Sequence, residues 1–170
     1  MNEKEITRIN VGNSGEYFVS AELERRGFEA TVLGNNCKDF DIIAYHIETH
    51  IPIFLQVKTT KGYKKVDKRK TKWLMSRCKL IRDNLFYIMV DLNDVNTPEY
   101  HIIPSEIVYN QTENRHNNYI KNKKHKDTNM REFFDNENQY INNWNLLIDF
   151  CMEQSKKEEN KWFSIRKELK

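Results

Sequence analysis

Phe54-Leu55-Gln56-Val57-Lys58 is the stretch on which the reading of this chain turns. Side chains alternate across a strand, so Gln56 and Lys58 share one face while Val57 points into a core on the other. Just upstream, Asp41-Ile42-Ile43-Ala44 opens a second strand, predicted over residues 41–47, and residues 53–59 form the third. The link between them, 48–52, is too short for a crossover helix, so the two strands form an antiparallel hairpin. That hairpin brings the start of one strand, with Asp41, towards Gln56 and Lys58 on the other.

Working outward, residues 13–27 carry agreeing helix signals: Asn13 or Ser14 as N-cap, Glu16 in the first turn and Gly27 as the stop. Residues 28–33 read as a first strand and Gly34-Asn35-Asn36 as a turn. Downstream, 61–72 is a basic loop, and 73–83 is a short helix or an extended piece followed by one. The nearly continuous apolar run 85–92 predicts a central strand buried on both faces, with 99–103 as its neighbour. Pro104-Ser105-Glu106 opens a helix reaching Tyr109 or further, and a polar stretch follows through Asn129. Trp144, Leu147, Ile148 and Cys151 then fall at helical spacing.

These elements predict an α/β domain over residues 1–155, an α-β-β-β-α-β core with a mixed sheet flanked by helices. A charged tail over 156–170 docks as a helix through Trp162, Ile165 and Leu169. The hairpin, and the lack of a Gly-x-Gly-x-x-Gly or Gly-Lys-Ser/Thr loop after any strand, argue against a doubly wound nucleotide-binding fold.

At 170 residues, 38% apolar and 31% charged, the chain has the length of one ordered domain. No apolar run approaches the roughly 18 residues of a membrane span, and Met-Asn-Glu-Lys-Glu lacks a signal-peptide layout, so a cytoplasmic location is expected. Cys37, Cys78 and Cys151 lack zinc-ligand spacing and are read as reduced thiols. The net charge of +3 conceals two basic clusters, +10 over residues 56–82 and +5 over 115–131, leaving −12 for the remainder. Clusters of that kind suit a polyanion, because each Lys or Arg that neutralises a phosphate releases counterions; a solvated lysine loop is the plainer alternative.

Hydrolysis of a phosphodiester needs a metal ion to polarise the phosphoryl group and acidify a water, and a cation beside the developing charge. Hard divalent ions take oxygen ligands from one or two carboxylates, with waters completing the shell. Glu16 and Asp41 supply carboxylates, Gln56 an amide oxygen and Lys58 the ammonium. Singly, each has a plainer reading: Gln56 and Lys58 as solvent-facing strand residues, Asp41 as a turn residue, Glu16 as a complement to the helix dipole. Asp39 competes with Asp41 as a ligand.

Gly15-Glu16-Tyr17, Ala21-Glu22-Leu23 and Gly27-Phe28, then Asp41-Ile42-Ile43-Ala44 and Phe54 through Thr60, together resemble the PD-(D/E)xK nuclease superfamily of restriction endonuclease-like and Holliday-junction resolvase-like proteins. The resemblance covers residues 12–92. It implies a Mg2+-dependent DNA endonuclease, with Mn2+ as a substitute, in which Glu16, Asp41 and Gln56 hold the metal and Lys58 assists attack. Phe40 stands where the superfamily's name has proline, and Gln56 replaces an acidic residue, a Gln-x-Lys variant also found among restriction proteins. On this reading Lys61, Lys64, Lys65, Lys68, Arg69, Lys70 and Lys72 grip the DNA backbone. His125 and Arg131 are further phosphate candidates, although a plain polar loop fits them better. The alternatives are a catalytically silent nuclease-fold DNA-binding or accessory module, and an interaction protein working through its acidic remainder. RNA remains open as a substrate, and a homodimer through the Trp144 and Trp162 regions is a further expectation.

Overall fold

The computed structural model describes residues 7–34, 37, 39–61, 71–92, 97–122 and 124–168. Helix α1 spans Arg8–Glu24, followed by β1 (Phe28–Val32), β2 (Ile42–His46) and β3 (Pro52–Thr60). Then come β4 (Lys72–Ser76), β5 (Leu85–Asp91), β6 (Glu99–Pro104), α2 (Ser105–Ile120), β7 (Met130–Phe134) and α3 (Asn145–Glu168).

Five strands make one mixed sheet in the order β1-β2-β3-β5-β6. The β1–β2, β2–β3 and β5–β6 pairs are antiparallel, whereas β3 and β5 run parallel with Gln56 opposite Tyr87 and Lys58 opposite Met89. The expected hairpin is therefore present, and the expected central strand is buried along its whole length. A mixed sheet flanked by helices is the architecture.

Period-two alternation sorts the sheet into two cores. On one face Ile42, Ala44, Ile53, Leu55, Val57, Phe86, Ile88 and Val90 pack against Val19 and Leu23 of α1 and Leu147 and Cys151 of α3. On the other, Tyr87, Met89 and Ile103 pack against Val108 of α2 and against Trp73, Met75 and Phe133. The last three belong to a separate two-stranded antiparallel ribbon, β4 with β7. The ribbon is tied down by Trp73 Nε1, which donates to Val90 O at 3.1 Å.

Several boundaries differ from expectation, for physical reasons. Helix α1 starts at Arg8 with Thr7 as N-cap, not at Asn13 or Ser14; Ser14 Oγ instead donates to Val11 O inside the helix. Glu16 thus lies about two turns into α1, too far from its start to serve the helix dipole. Of the two alternatives expected over 73–83, the extended piece is present as β4, whose burial alternates with Trp73 and Met75 inward and Leu74 outward, but no helix follows it before β5. Strand β7, unforeseen, has the same alternation around Arg131 and Phe133. Its partner strand lies some sixty residues upstream, beyond the reach of any local signal. Helix α2 runs on to Ile120 through an Asn-rich segment because it buries Val108, Thr112, Glu113 and His116. Gln111 both accepts from Phe134 N at 3.1 Å and donates to Phe134 O at 2.9 Å, fixing α2 to the ribbon.

Helix α3 passes through Lys156 without a break. Trp144, expected at a subunit interface, is buried against Tyr100 with the Arg26 guanidinium over its ring. The expected contacts of Trp162, Ile165 and Leu169 lie outside the described side chains. Cys37, Cys78 and Cys151 are free thiols, as expected. Among the described residues no helix is long and apolar enough to cross a membrane.

Candidate functional site

Asp41 lies one residue ahead of β2, where the β2–β3 ladder begins with Ile42 opposite Leu55. Its backbone N–H donates to Leu55 O at 2.8 Å and its carbonyl accepts from Leu33 N at 2.9 Å. The side chain then does what a further strand residue could not. Asp41 Oδ2 accepts from Val57 N at 2.7 Å and from Gln56 Nε2. A buried peptide N–H at the end of a ladder needs an acceptor, and the carboxylate supplies it. The same contact fixes the Gln56 amide with its nitrogen on Asp41.

Lys58 follows on the same face of β3 as Gln56, half-buried. Helix α1 reaches this strand from the opposite side. The approach is so close that a Cβ placed on buried Gly15 would meet Thr59 Oγ1 at 1.9 Å. The next residue, Glu16, is thereby carried to the site. Burial raises the Glu16 carboxyl above its ordinary value of 4.5, the negative charge of Asp41 raises it further, and the Lys58 ammonium partly offsets both. Two carboxylates, an amide and an ammonium from α1, the β2 entry and β3 thus share one neighbourhood.

The donor set offers oxygen from Glu16, Asp41 and Gln56, the chemistry a hard divalent cation prefers. Among the described residues no group of three or more His, Cys, Asp or Glu side chains is placed to hold a metal, so water would complete any coordination. The Asp41 charge that adds to burial in raising Glu16 is the kind of repulsion a cation relieves, so the residues fit such an ion.

The competing Asp39 is exposed in the turn ahead of β2. Of the expected backbone-gripping residues, Lys61 is exposed at the end of β3. Lys72 opens β4 and pairs with Glu132 at 2.9 Å. Lys64, Lys65, Lys68, Arg69 and Lys70 lie outside the described residues. Arg131 belongs to β7 rather than to a polar loop. It is buried, donating from Nε to Glu113 Oε1 at 2.6 Å and from Nη1 to Thr128 O at 2.7 Å, which commits its charge to the fold. His125 donates from Nδ1 to Tyr119 O at 2.8 Å, and its ring stacks on Tyr119.

Asp91 was not singled out in the sequence. It is fully buried at the end of β5, on the face that carries Gln56 and Lys58, and accepts from Thr71 Oγ1 at 2.7 Å. An Asp closing a seven-residue apolar strand is a signal that could have found it. Through Thr71 it anchors the end of the segment that returns from β3.

No known family profile matches the chain, and no curated protein matches it. Among solved structures it is similar to a bacterial homing endonuclease, I-Ssp6803I, with a TM-score of 0.60 and 12% identity over 89% of this chain and 98% of that one. At that identity the likeness is one of architecture, and what the two chains share is a mixed α/β fold traced over nearly their full lengths.

Proposed function

We propose that this chain is a DNA endonuclease of the PD-(D/E)xK type, dependent on Mg2+ and carrying a Gln-x-Lys variant of its site. The observation that supports this most is the pair of hydrogen bonds that Asp41 accepts from the Gln56 side chain and Val57 N, which holds a carboxylate beside the Gln56–Lys58 face. The similarity in fold to a protein described as a homing endonuclease is in keeping with it.

On this reading Glu16, Asp41 and Gln56 hold the cation, which when bound polarises the phosphoryl oxygen and acidifies a coordinated water. Asp41 stays fixed through Val57 N and so keeps one coordinating edge in place. Lys58 orients the attacking water or neutralises charge building on the phosphate. Water adds to phosphorus as the P–O bond to one flanking sugar breaks, and the departing oxygen gains a proton. Lys61 and Lys72, with the basic segment between them, hold the backbone.

The test is incubation of the wild type and Lys58→Ala with supercoiled plasmid and single-stranded DNA in Mg2+, Mn2+ or chelator. Metal-dependent cutting that disappears in the variant is expected. Intact DNA with wild-type protein in excess refutes the proposal. One observation favours a second reading, a silent DNA-binding module: Gln56 brings no charge to the metal and has its amide nitrogen engaged with Asp41. Salt-sensitive binding indifferent to metal and to Lys58→Ala identifies that case.

A further inference from the structure

On its outer side, away from the sheet, the ribbon forms a groove of about 390 Å3 with α2, lined by Leu74, Arg115, Tyr119, Met130 and Arg131 among others. Its rim is unusually apolar for a surface: Leu74, Tyr119 and Met130 are each about half exposed. Around it Lys121, Lys124 and Lys126 are exposed in the turn after α2, while the acidic groups nearby are already paired, Glu132 with Lys72 and Arg115 and Asp127 with His116.

Tyr119 is not a loose surface ring. His125 stacks on it at 3.9 Å between centroids and 6° between planes, and the imidazole is held by its bond to Tyr119 O. One face of the phenol is therefore covered, and the His116 ring approaches at 6.3 Å between centroids with a tilt of 33°, but Tyr119 stays about half exposed where it lines the groove, which leaves an open part of the ring for a ligand. Arg115 is similarly immobilised, its guanidinium 4.1 Å above the Phe134 ring and 3.5 Å from Glu132. A fixed aromatic face with exposed lysines beside it is the arrangement that stacks bases while cations follow the phosphates. A protein-binding face would explain Leu74 and Met130, but not the clustered lysines.

We propose that this groove holds an unpaired base of a single-stranded nucleic acid, stacked on Tyr119, with the flanking phosphates on Arg115, Lys121, Lys124 and Lys126. The site lies on the far side of the ribbon that covers the Gln56–Lys58 face. It extends the nuclease reading in sharing its premise that the chain handles a polynucleotide, and it is independent of cutting.

Fluorescence anisotropy with labelled oligo-dT, oligo-U and a blunt duplex tests it, in chelator and at low salt, using the full chain. Tyr119→Ala weakens single-strand binding roughly tenfold, as loss of one stacked base does, while Tyr119→Phe binds like the wild type and duplex affinity stays within about twofold. His125→Ala, which only releases the ring, gives a smaller loss of roughly threefold and serves as the second variant. Tyr119-dependent binding of either strand upholds the proposal. Single-strand affinity unchanged in Tyr119→Ala, or an equal loss on the duplex, overturns it. Because chelator silences cutting, this result stands apart from the outcome of the Lys58→Ala cleavage test.

Discussion

Replacing Gly15 by Ala sets two effects of known size against each other. In an exposed helix, Gly→Ala stabilises by about 1 kcal/mol through backbone entropy and propensity. At Gly15 the added Cβ would sit 1.9 Å from Thr59 Oγ1, 2.9 Å from its Cβ and 3.0 Å from its Cγ2. A rotamer change moves Oγ1 and Cγ2, but Thr59 Cβ moves only with the strand. The overlap therefore belongs at the upper end of the overpacking range, about 3 kcal/mol, and the net loss is about 2 kcal/mol. Urea unfolding in chelator measures it. Thr59→Ala in the same chain removes Oγ1 and Cγ2 and should return part of the loss, the remainder being due to Cβ. Function should suffer more than stability: lifting α1 off β3 also carries Glu16 away from Asp41. Cleavage by Gly15→Ala is expected to fall by more than tenfold under conditions where the variant is folded. A variant more stable than wild type, with full activity, would show that the α1–β3 approach has been misjudged.

The other predictions concern charge and burial. Glu16 has its folded pKa raised, so ionising it opposes folding as pH rises past its ordinary value of 4.5. Glu16→Gln should therefore raise Tm at neutral pH in chelator; if the proposed Mg2+ site is correct, Mg2+ raises the Tm of the wild type and does so less in the variant, and an equal Mg2+ response in both removes Glu16 from that site. Arg131→Leu strips the buried partner from Glu113 and is expected to cost about 3 kcal/mol in denaturant unfolding. Glu113 has the opposite sign to Glu16: Arg131 first, then Arg77, hold its carboxyl below 4.5, so its contribution is present above that pH and lost on acidification towards its lowered value. The variant should lose that part of the acid dependence. Burial pushes the Cys151 thiol up to about 11 and Cys78 is buried, so alkylation of native protein at neutral pH should modify Cys37 alone at a rapid rate, as mass spectrometry would show.

Elements whose stability is written locally were legible in the sequence. The hairpin around Asp41 and Gln56, the apolar run of β5 and the C-terminal helix each announce themselves by periodicity within a few residues. Asp41 and Gln56 were placed as partners because hairpin geometry leaves them little freedom. What the sequence did not disclose depends on distant partners. Met130 to Phe134 becomes a strand only because Lys72 to Ser76 lies alongside, and the same pairing decides for those five residues between the helix and the extended piece that the sequence leaves open. The length of α1 was misjudged because Asn13 and Ser14, good caps in isolation, lie inside a helix that Thr7 had already begun. The closeness of Gly15 to Thr59 was invisible too, since nothing in a lone glycine tells a flexible position from a crowded one.

The two layers that close this sheet arrive late along the chain. The ribbon that covers the Gln56–Lys58 face is complete only when Phe134 is in place, and α3, which helps cover the opposite face, starts at Asn145. During synthesis at 5–20 residues per second, the five strands are all available several seconds before either cover, with Ile88, Ile102 and Ile103 waiting to be buried. A ribosome-bound chain ending near α2 therefore presents a sheet with α1 on part of one face and the apolar surface destined for α3 and the ribbon still bare. The β4–β7 pairing, whose strands lie more than fifty residues apart, can form only late. A truncation anywhere before α3 is accordingly expected to yield an aggregating fragment, not a smaller working protein.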